Sequence, residues 1–148
     1  MGRSRIVATA LALASVGCAT QRLTAMELAG RASASPIAAQ DELAGRSVVV
    51  EGVVRGTTLT ERDSMIGHVQ TFGSFGTVTA EQHRDTLALV VLEPGSVLCY
   101  FEPEEIGQAA DLKEHQTVQL ACRIDSFRPA SSGTATEAVL SGCERKSP

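Results

Sequence analysis

The stretch from Val97 to Cys122, VLCYFEPEEIGQAADLKEHQTVQLAC, constrains the possible fold more than any other part of the chain. At both of its ends apolar side chains recur at every second position, as they do in a β-strand with one buried face. Between these ends, Pro103 and the two glutamates after it suit the first turn of a helix, because proline needs no amide partner there and carboxylates favour the positive end of the helix dipole. The stretch therefore predicts two half-buried strands with a capping helix between them.

Three further strands are predicted around this pair. The five predicted strands are residues 46–60, 86–92, 97–101, 116–125 and 136–143, in the order β-β-β-α-β-β. Residues 93–96 have the composition of a tight turn, so we expect the second and third strands to form a hairpin. Gly52 marks a bulge or bend in the first strand, and a long bent first strand suits a small closed barrel.

A short helix is predicted ahead of the first strand. Thr24 and Glu27 fit a capping box, in which the hydroxyl and the carboxylate each accept a hydrogen bond from a free amide at the helix start. The helix would run from about Ala25 to Ala32 and end in the small residues and proline of 33–36. Its apolar face would consist of Met26, Ala29 and Ala32. A flexible tether over this segment is the alternative.

Residues 57–85 form an insertion between the first two strands. Within it, the segment from Met65 to Thr79 is rich in residues that favour strands, and Gly73 and Gly76 lie near its centre. We interpret the insertion as an extension of the first two strands into a long hairpin.

The N-terminus has the features of an export signal. Arg3 and Arg5 precede an apolar run from Ile6 to Val16, which has the length of a secretory core region and is too short to span a bilayer. Residues 13–18, LASVGC, resemble a bacterial lipobox, in which small residues precede a cysteine that is lipidated and becomes the new N-terminus. Residues 1–17 are therefore predicted to be a signal peptide.

The lipobox resemblance also predicts the cellular address. Cys18 would carry the lipid, residues 18–23 would be a lipid-anchored tether, and Ala19, which is not Asp, implies the outer membrane with the domain facing the periplasm. Cleavage by the general signal peptidase near Gly17 or Ala19 is the alternative.

Several segments carry a resemblance to a known family. They are GRSVVVEGVV at 45–54, VLCYF at 97–101, LKEHQTV at 112–118, Cys122 and LSGC at 140–143, with Glu27 and Leu28 ahead of them. Together they resemble the tRNA-anti-like family of OB-fold domains, which is common in exported bacterial proteins. The resemblance implies an all-β domain over 24–144, a five-stranded OB-fold barrel with a capping helix and a preceding short helix, followed by a tail at 145–148. His115 stands where the family usually has glycine, and the family has no established common ligand.

The cysteines predict one disulfide. Export implies an oxidising compartment, and three cysteines remain once Cys18 carries lipid. If the fourth and fifth strands form a hairpin that turns at 132–133, facing residues have numbers that add to 265, with allowance for a bulge. Cys122 and Cys143 then lie opposite each other within disulfide reach. Cys99 is predicted to be a buried small hydrophobe.

The charge and composition predict that nucleic acid is not a partner. The formal charge of the chain is −4, and removal of Arg3 and Arg5 with the leader leaves 11 basic and 17 acidic residues, a charge of −6. Aromatic residues make up 3% of the chain and Trp is absent, so a surface on which bases stack is hard to assemble. We therefore expect no binding of RNA or DNA.

The sequence contains no recognised catalytic or metal-binding pattern. His68, His83 and His115 do not have the spacing of metal ligands, and the serines lack a GxSxG context. A CxxC motif is absent, and the GSFG segment at 73–76 lacks the lysine and following helix of a phosphate-binding loop. We expect no catalytic residues, no metal and no cofactor.

A candidate binding surface follows from the OB-fold resemblance. OB-folds bind ligands on strands 2 and 3 and on the loops that join strands 1 to 2 and 4 to 5, which here are residues 61–85 and 126–135. The residues predicted to line this surface are Phe72, Phe75, His83, Arg84, Phe127 and Arg128. In the alternative interpretation, Phe72 and Phe75 only pin the hairpin onto the barrel.

These predictions together describe an envelope lipoprotein that carries a non-catalytic OB-fold binding module. Its partner would be an envelope protein, a peptide or a glycan, and its contact with the membrane would be the lipid anchor. The alternative is an exported hydrolase or nuclease that uses the loops at 61–85 and 126–135.

Replacement of Cys18 by Ala should release the protein from the membrane fraction, because the Cys18 thiol is the attachment point of the lipid. Fractionation and immunoblotting should find the wild-type chain with membranes and the Cys18→Ala chain as an unprocessed precursor or a soluble exported form. A wild-type chain that is wholly soluble in the periplasm, or that stays in the cytoplasm, would contradict lipidation.

Overall fold

The computed structural model describes residues 20–72, 75–130 and 135–147, with the backbone alone described for 63–72 and 75–83. Its elements in chain order are β1 (Gln21–Thr24), α1 (Ala25–Ala34), α2 (Pro36–Leu43), β2 (Ser47–Phe72), β3 (Phe75–Glu93), β4 (Val97–Phe101), α3 (Ile106–Ala110), β5 (Thr117–Pro129) and β6 (Thr136–Arg145). A 3-10 turn at Pro103–Glu105 leads into α3. The five predicted strands and the helix after the third are therefore confirmed.

The strands form one mixed sheet that closes on itself. Its order is β1-β2-β3-β4-β6-β5. An additional pairing of β2 with β5 closes the five strands from β2 through β6 into a ring. The β1–β2 and β4–β6 pairs are parallel, whereas the other pairs are antiparallel. The structure thus has the predicted mostly-β character and a mixed six-stranded sheet in place of the predicted five strands.

The sixth strand, β1, corrects part of the tether prediction. Residues 18–23 are predicted to be a tether, but Gln21–Thr24 pairs with β2 at positions 48–51. Leu23 is the buried side chain of this strand, and it belongs to the core. Four residues are too few to show an alternating pattern, and the strand exists because β2, which is distant in sequence, supplies its hydrogen bonds.

The predicted capping box at the start of α1 is present. The Thr24 backbone N–H donates to Glu27 Oε2 at 2.7 Å, and the Glu27 N–H donates to Thr24 Oγ1 at 3.1 Å. The Thr24 N–H and the Thr24 hydroxyl, which donates to Glu27 Oε2 at 3.0 Å, both lower the pKa of the Glu27 carboxyl from its ordinary value. The predicted apolar face is only partly right, because Ala25, Leu28 and Ala32 are buried while Met26 is exposed.

A second helix, α2, was not predicted. Residues 33–36 are predicted to end the helical segment, but Ser35 caps a new helix by accepting a hydrogen bond from the Ala38 N–H at 3.4 Å. Pro36 occupies the first helical position, where its missing N–H has no cost. The same Ser-Pro pair that ends one helix therefore begins the next.

The bend of β2 lies beyond the predicted position. The pairing of β2 with β3 shifts between Val54 and Gly56, whereas the sequence predicts the bulge at Gly52. Gly52 is required for a different reason, since a Cβ at this position would lie 3.0 Å from the Cβ of Ala25 and 3.1 Å from the Glu93 carbonyl oxygen. Glycine here allows α1 and the end of β3 to approach β2.

The insertion at 57–85 extends the first two strands, as predicted. The backbones of β2 and β3 pair without a further shift from Gly56↔Val91 to Phe72↔Phe75. From Ser47 to Val53, β2 pairs with β5, and at Val53 it pairs with both β5 and β3. One strand therefore both closes the ring and continues into the hairpin.

The interior of the ring is filled by the alternate residues of its strands. The largest fully buried side chains are Phe101, Leu28, Leu43, Leu92, Leu120, Ile124, Leu140, Val48, Val50, Val54, Val90 and Val97. Leu28 comes from α1 and Leu43 from α2, so both N-terminal helices belong to the same core. Burial of each such side chain favours the folded state by about 1.5–3 kcal/mol before the entropy of ordering is counted.

The predicted disulfide between Cys122 and Cys143 is present, with the two Cα atoms 4.2 Å apart. The β5–β6 register also follows the prediction, since pairs such as Phe127↔Ala138 have numbers that add to 265, and the allowed irregularities lie at 121–123 and 124–126. The predicted turn at 132–133 lies outside the described residues.

Replacement of both Cys122 and Cys143 by Ala should lower the free energy of unfolding by about 3 kcal/mol, mainly because the unfolded chain gains freedom when a loop of this length is opened. The double variant is used so that Cys99 cannot pair with a remaining partner. Chemical denaturation under non-reducing conditions measures the loss, and reduction of the wild-type chain should reproduce it. Equal stability of the double variant and the oxidised wild type would contradict the prediction.

Candidate functional site

A groove of about 320 Å³ runs over the surface of the ring beside Tyr100. We call it the Tyr100 groove, and its lining residues are Thr60, Glu61, Arg62, Leu87, Tyr100, Asp125, Arg128, Val139 and Ser141. All five strands of the ring, β2 to β6, contribute to it. The groove therefore exists because the ring brings together strands that are distant in sequence.

The alternation of β4 places Tyr100 in this groove. Cys99 and Phe101 are fully buried in the core, and Tyr100 lies between them with its side chain half-buried. Because successive residues of a strand point to opposite faces, Tyr100 faces away from the interior. Tyr100 is the single tyrosine of the chain, so its phenol has no equivalent elsewhere.

Arg62 lies at one side of the groove in a network with two carboxylates. Its guanidinium donates to both carboxylate oxygens of Glu102, at 3.0 and 3.3 Å, and lies 3.7 Å from Asp85 Oδ2. The hydrogen bond to Glu102 raises the pKa of the Arg62 guanidinium, so the group stays charged. This fork geometry orients Arg62 across the surface from β2 to the end of β4.

Arg128 supplies the second guanidinium of the groove. Its Nε lies 3.4 Å from Glu137 Oε2 on the neighbouring strand β6. The Glu137 side chain is only 15% exposed, whereas that of Arg128 is 52% exposed. Arg128 therefore keeps part of its guanidinium available to a ligand while it neutralises a shielded carboxylate.

Phe127 and Arg128, the two residues of the 126–135 loop that were predicted to line the binding surface, have different environments in the structure. Arg128 lines the Tyr100 groove. Phe127 is half-buried and packs against the core, and its N–H donates to Gln40 Oε1 at 2.9 Å. Phe127 therefore connects β5 to α2 and does not line the groove.

The residues predicted from the insertion lie along the hairpin. Arg84 is exposed, and its guanidinium lies 3.9 Å from Glu61 Oε2 near the base of the hairpin. His83 pairs with Ser64, and Phe72 pairs with Phe75 at the far end. At about 3.3 Å per residue, Phe72 is roughly 33–40 Å along β2 from the part of the strand that lines the groove. The side chains of Phe72, Phe75 and His83 are outside the description, so their role stays a prediction, as does that of Cys18.

The sequence prediction missed Tyr100 and Arg62 as members of one site. The alternation of VLCYF could have identified Tyr100, because it lies between two residues that were assigned to the core. Arg62 belongs to the loop at 61–85 that was predicted to contact a ligand, but it was not among the residues assigned to the surface. It lies within the insertion, and only the ring places it near β4 and β5.

Three sulfur atoms meet inside the core. The Sγ atoms of Cys99, Cys122 and Cys143 lie within 4.8 Å of one another. Among the residues that the structure describes, these three are close enough together to be considered as ligands of one metal ion. Two of these sulfurs are bonded to each other, so the oxidised protein offers a single thiol there. Complete burial raises the pKa of the Cys99 thiol far above its ordinary value, because the apolar core disfavours the thiolate. The prediction that Cys99 is a buried small hydrophobe is confirmed.

Comparison with protein families found no matching family, and comparison with curated proteins found no match. Comparison with solved structures found the crystal structure of a provisionally named nucleic acid-binding lipoprotein from Klebsiella pneumoniae. The two chains are 10% identical, the TM-score is 0.59, and the match covers 86% of this chain and 92% of the other. At this identity the likeness shows a shared fold.

This likeness contradicts the prediction that excludes nucleic acid as a partner. That prediction depends on the net charge, but a chain of the same fold is described as a nucleic acid-binding protein. Net charge averages over the whole surface, whereas a binding groove depends on the few groups that line it, here including Arg62 and Arg128. The exclusion was therefore wrong.

Within the described part of the chain, no helix is both long enough and apolar enough to cross a bilayer.

The Cys99 thiol should resist alkylation in the folded protein, because only the thiolate reacts and burial suppresses it. Treatment of the mature, non-reduced protein with iodoacetamide at about pH 8.5, near the ordinary thiol pKa, should leave the mass of the folded chain unchanged. The same reagent should add a single group to the chain in denaturant. Rapid labelling of Cys99 under native conditions would show that the core around β4 is open to solvent.

Proposed function

We propose that this chain is a non-catalytic binding module of an envelope lipoprotein, and that its Tyr100 groove binds a short segment of single-stranded nucleic acid. The observation that carries the proposal is the composition of the groove, which combines the single tyrosine of the chain with the guanidinium groups of Arg62 and Arg128. An aromatic face stacks with any base, and guanidinium groups bind phosphate oxygens.

The fold supports this proposal. A closed ring of five strands, with a helix between the third and the fourth, is the arrangement expected for an OB-fold, and the tRNA-anti-like resemblance of the sequence points the same way. OB-folds bind single strands on the outer face of their second and third strands, which correspond to β3 and β4. Leu87 of β3 and Tyr100 of β4 both line the groove. The solved structure with a similar fold carries a nucleic acid-binding description.

The charges of the groove define how such a ligand would bind. Glu61 and Asp125 line the groove together with the two arginines, so its formal charge is balanced. Binding would therefore depend on stacking more than on long-range attraction, and at most two phosphates would be neutralised. The affinity should fall with salt with a logarithmic slope of about −1.4, which is about −0.7 for each phosphate on a single strand.

The cellular address follows from the sequence features of the N-terminus. A lipidated Cys18 would hold the module at the outer membrane, facing the periplasm, where short single strands or other extended polymers could reach it. The absence of a recognised catalytic pattern in the sequence favours binding over the alternative of a hydrolase or nuclease.

Replacement of Tyr100 by Leu should weaken the binding of a fluorescein-labelled oligothymidylate about 5- to 150-fold, because loss of one stacked base costs about 1–3 kcal/mol. Fluorescence anisotropy at several salt concentrations measures both the affinity and the salt slope. Tyr100→Phe keeps the aromatic ring and should bind nearly as well as the wild type. Arg128→Gln, which retains a donor for Glu137, should make the slope shallower by about 0.7.

Lys113→Gln is the matched control, since it removes one positive charge from an exposed position outside the groove. Its affinity and salt slope should equal those of the wild type. Loss of binding in this control, or equal binding by the wild type and Tyr100→Leu, would contradict the assignment of the groove. If the oligonucleotide does not bind and a peptide or glycan protects Tyr100 instead, the nucleic-acid assignment is wrong and the binding module remains.

A further inference from the structure

One face of the ring carries four basic side chains. A groove of about 530 Å³ is lined by Arg22, Arg145 and Lys146, and a neighbouring groove of about 330 Å³ is lined by Thr20, Arg123 and Lys146. Lys146 lines both grooves, so they form one continuous surface. We call Arg22, Arg123, Arg145 and Lys146 the basic face.

The elements that carry the basic face are well fixed. Arg22 lies on β1, which pairs with β2, and Arg123 lies on β5 opposite Ser47. The Arg145 N–H donates to Gln108 Oε1 at 2.8 Å, and the Lys146 N–H donates to the Gln119 carbonyl oxygen at 2.9 Å. The predicted tail at 145–148 therefore begins as part of the folded surface.

The basic face has the opposite charge to the chain as a whole. Four basic and two acidic side chains line the two grooves, the acidic ones being Glu51 and Glu144. The whole chain has 13 basic and 17 acidic residues. An anionic surface would attract this face and repel the remainder of the molecule, so it would orient the protein as well as hold it.

The four cations are available to an external anion. Arg22 and Arg145 form no ion pair with the residues that the structure describes. Lys146 Nζ lies 3.3 Å from Glu144 Oε1 and Arg123 Nε lies 3.4 Å from Asp125 Oδ1, but both pairs are exposed to solvent. Exposed pairs of this kind contribute little to stability and can exchange partners easily.

The basic face lies where the chain would leave the membrane. Thr20 lines the same groove as Arg123 and Lys146, and Cys18 precedes Thr20 by two residues. Two residues of extended chain span at most about 7 Å. Because β1 begins at Gln21, no long tether remains to move the ring away from a lipid attached to Cys18.

We propose that the basic face docks on anionic phospholipid headgroups beside the lipid anchor. This inference rests on the proposed lipidation of Cys18. A lipid chain and a basic patch act together at a membrane, the first for attachment and the second for orientation. The basic face uses positions 117–123 of β5 and the Tyr100 groove uses Asp125 and Arg128, so the two surfaces are neighbours on this strand, joined by the Arg123–Asp125 ion pair.

Amide hydrogen exchange of the lipidated full chain tests the contact. The protein is reconstituted in vesicles of phosphatidylglycerol and phosphatidylcholine, and separately in vesicles of phosphatidylcholine alone. Exchange at 20–22 and 144–147 should be about threefold slower or more on the anionic vesicles. The difference should vanish in about 1 M salt, where the Debye length falls to about 3 Å.

A charge-reversal variant gives the matched comparison. Arg145→Glu with Lys146→Glu should abolish the protection on anionic vesicles while the chain still floats with them. The control, Arg55→Glu with Lys113→Glu, makes the same change in net charge at positions outside both grooves and should keep the protection. Near-ultraviolet circular dichroism checks that both variants fold.

The outcomes separate this inference from the proposed function. Equal exchange of the wild-type chain on the two kinds of vesicle overturns the docking, and so does protection confined to a different face or retained in the charge-reversal variant. Failure of the wild-type chain to float with either kind of vesicle shows that the lipid anchor is absent, which contradicts the lipoprotein itself and removes the basis of the docking.

Discussion

Pairing between β2 and β5 is the constraint on which the rest of the structure depends. It converts an open sheet into a ring, so that the alternate residues of every strand face one interior. Close packing around the ring also leaves no space for a side chain at one position of β2. Gly52 lies where α1 and β3 both approach β2, and a side chain there would collide with Ala25. The core therefore depends on closure of the ring, and the glycine at position 52 on the close approach of α1 and β3 to β2.

The closed ring also carries two surfaces with different chemistry. The Tyr100 groove combines an aromatic ring with balanced charges, whereas the basic face has an excess of cations in a chain of negative charge. Both surfaces consist of residues from several strands, and neither can be recognised from net charge. The exclusion of nucleic acid was an inference of this kind, because an average over the surface was applied to a question about a few local groups.

The cysteines illustrate where local pattern is sufficient. A hairpin turn expected at 132–133 predicts the register of β5 and β6, and that register, with allowance for a bulge, places Cys122 opposite Cys143, where the structure has the disulfide. What the pattern does not contain is the approach of Cys99 to this pair, because β4 reaches β6 through a parallel pairing between strands that are not consecutive. Local alternation fixes which side of a strand is buried, and long-range pairing decides what it meets there.

The sequence by itself determined the five strands of the ring, the helix after the third of them, the capping box at Thr24 and the disulfide, because each depends on alternation, capping chemistry or the register of neighbouring strands. Only the tertiary structure decided that Gln21–Thr24 is a strand, that Met26 is exposed and that Phe127 packs against the core. It also decided that Arg62, Tyr100 and Arg128 share a groove. These features depend on contacts between residues far apart in the chain, which no local pattern encodes.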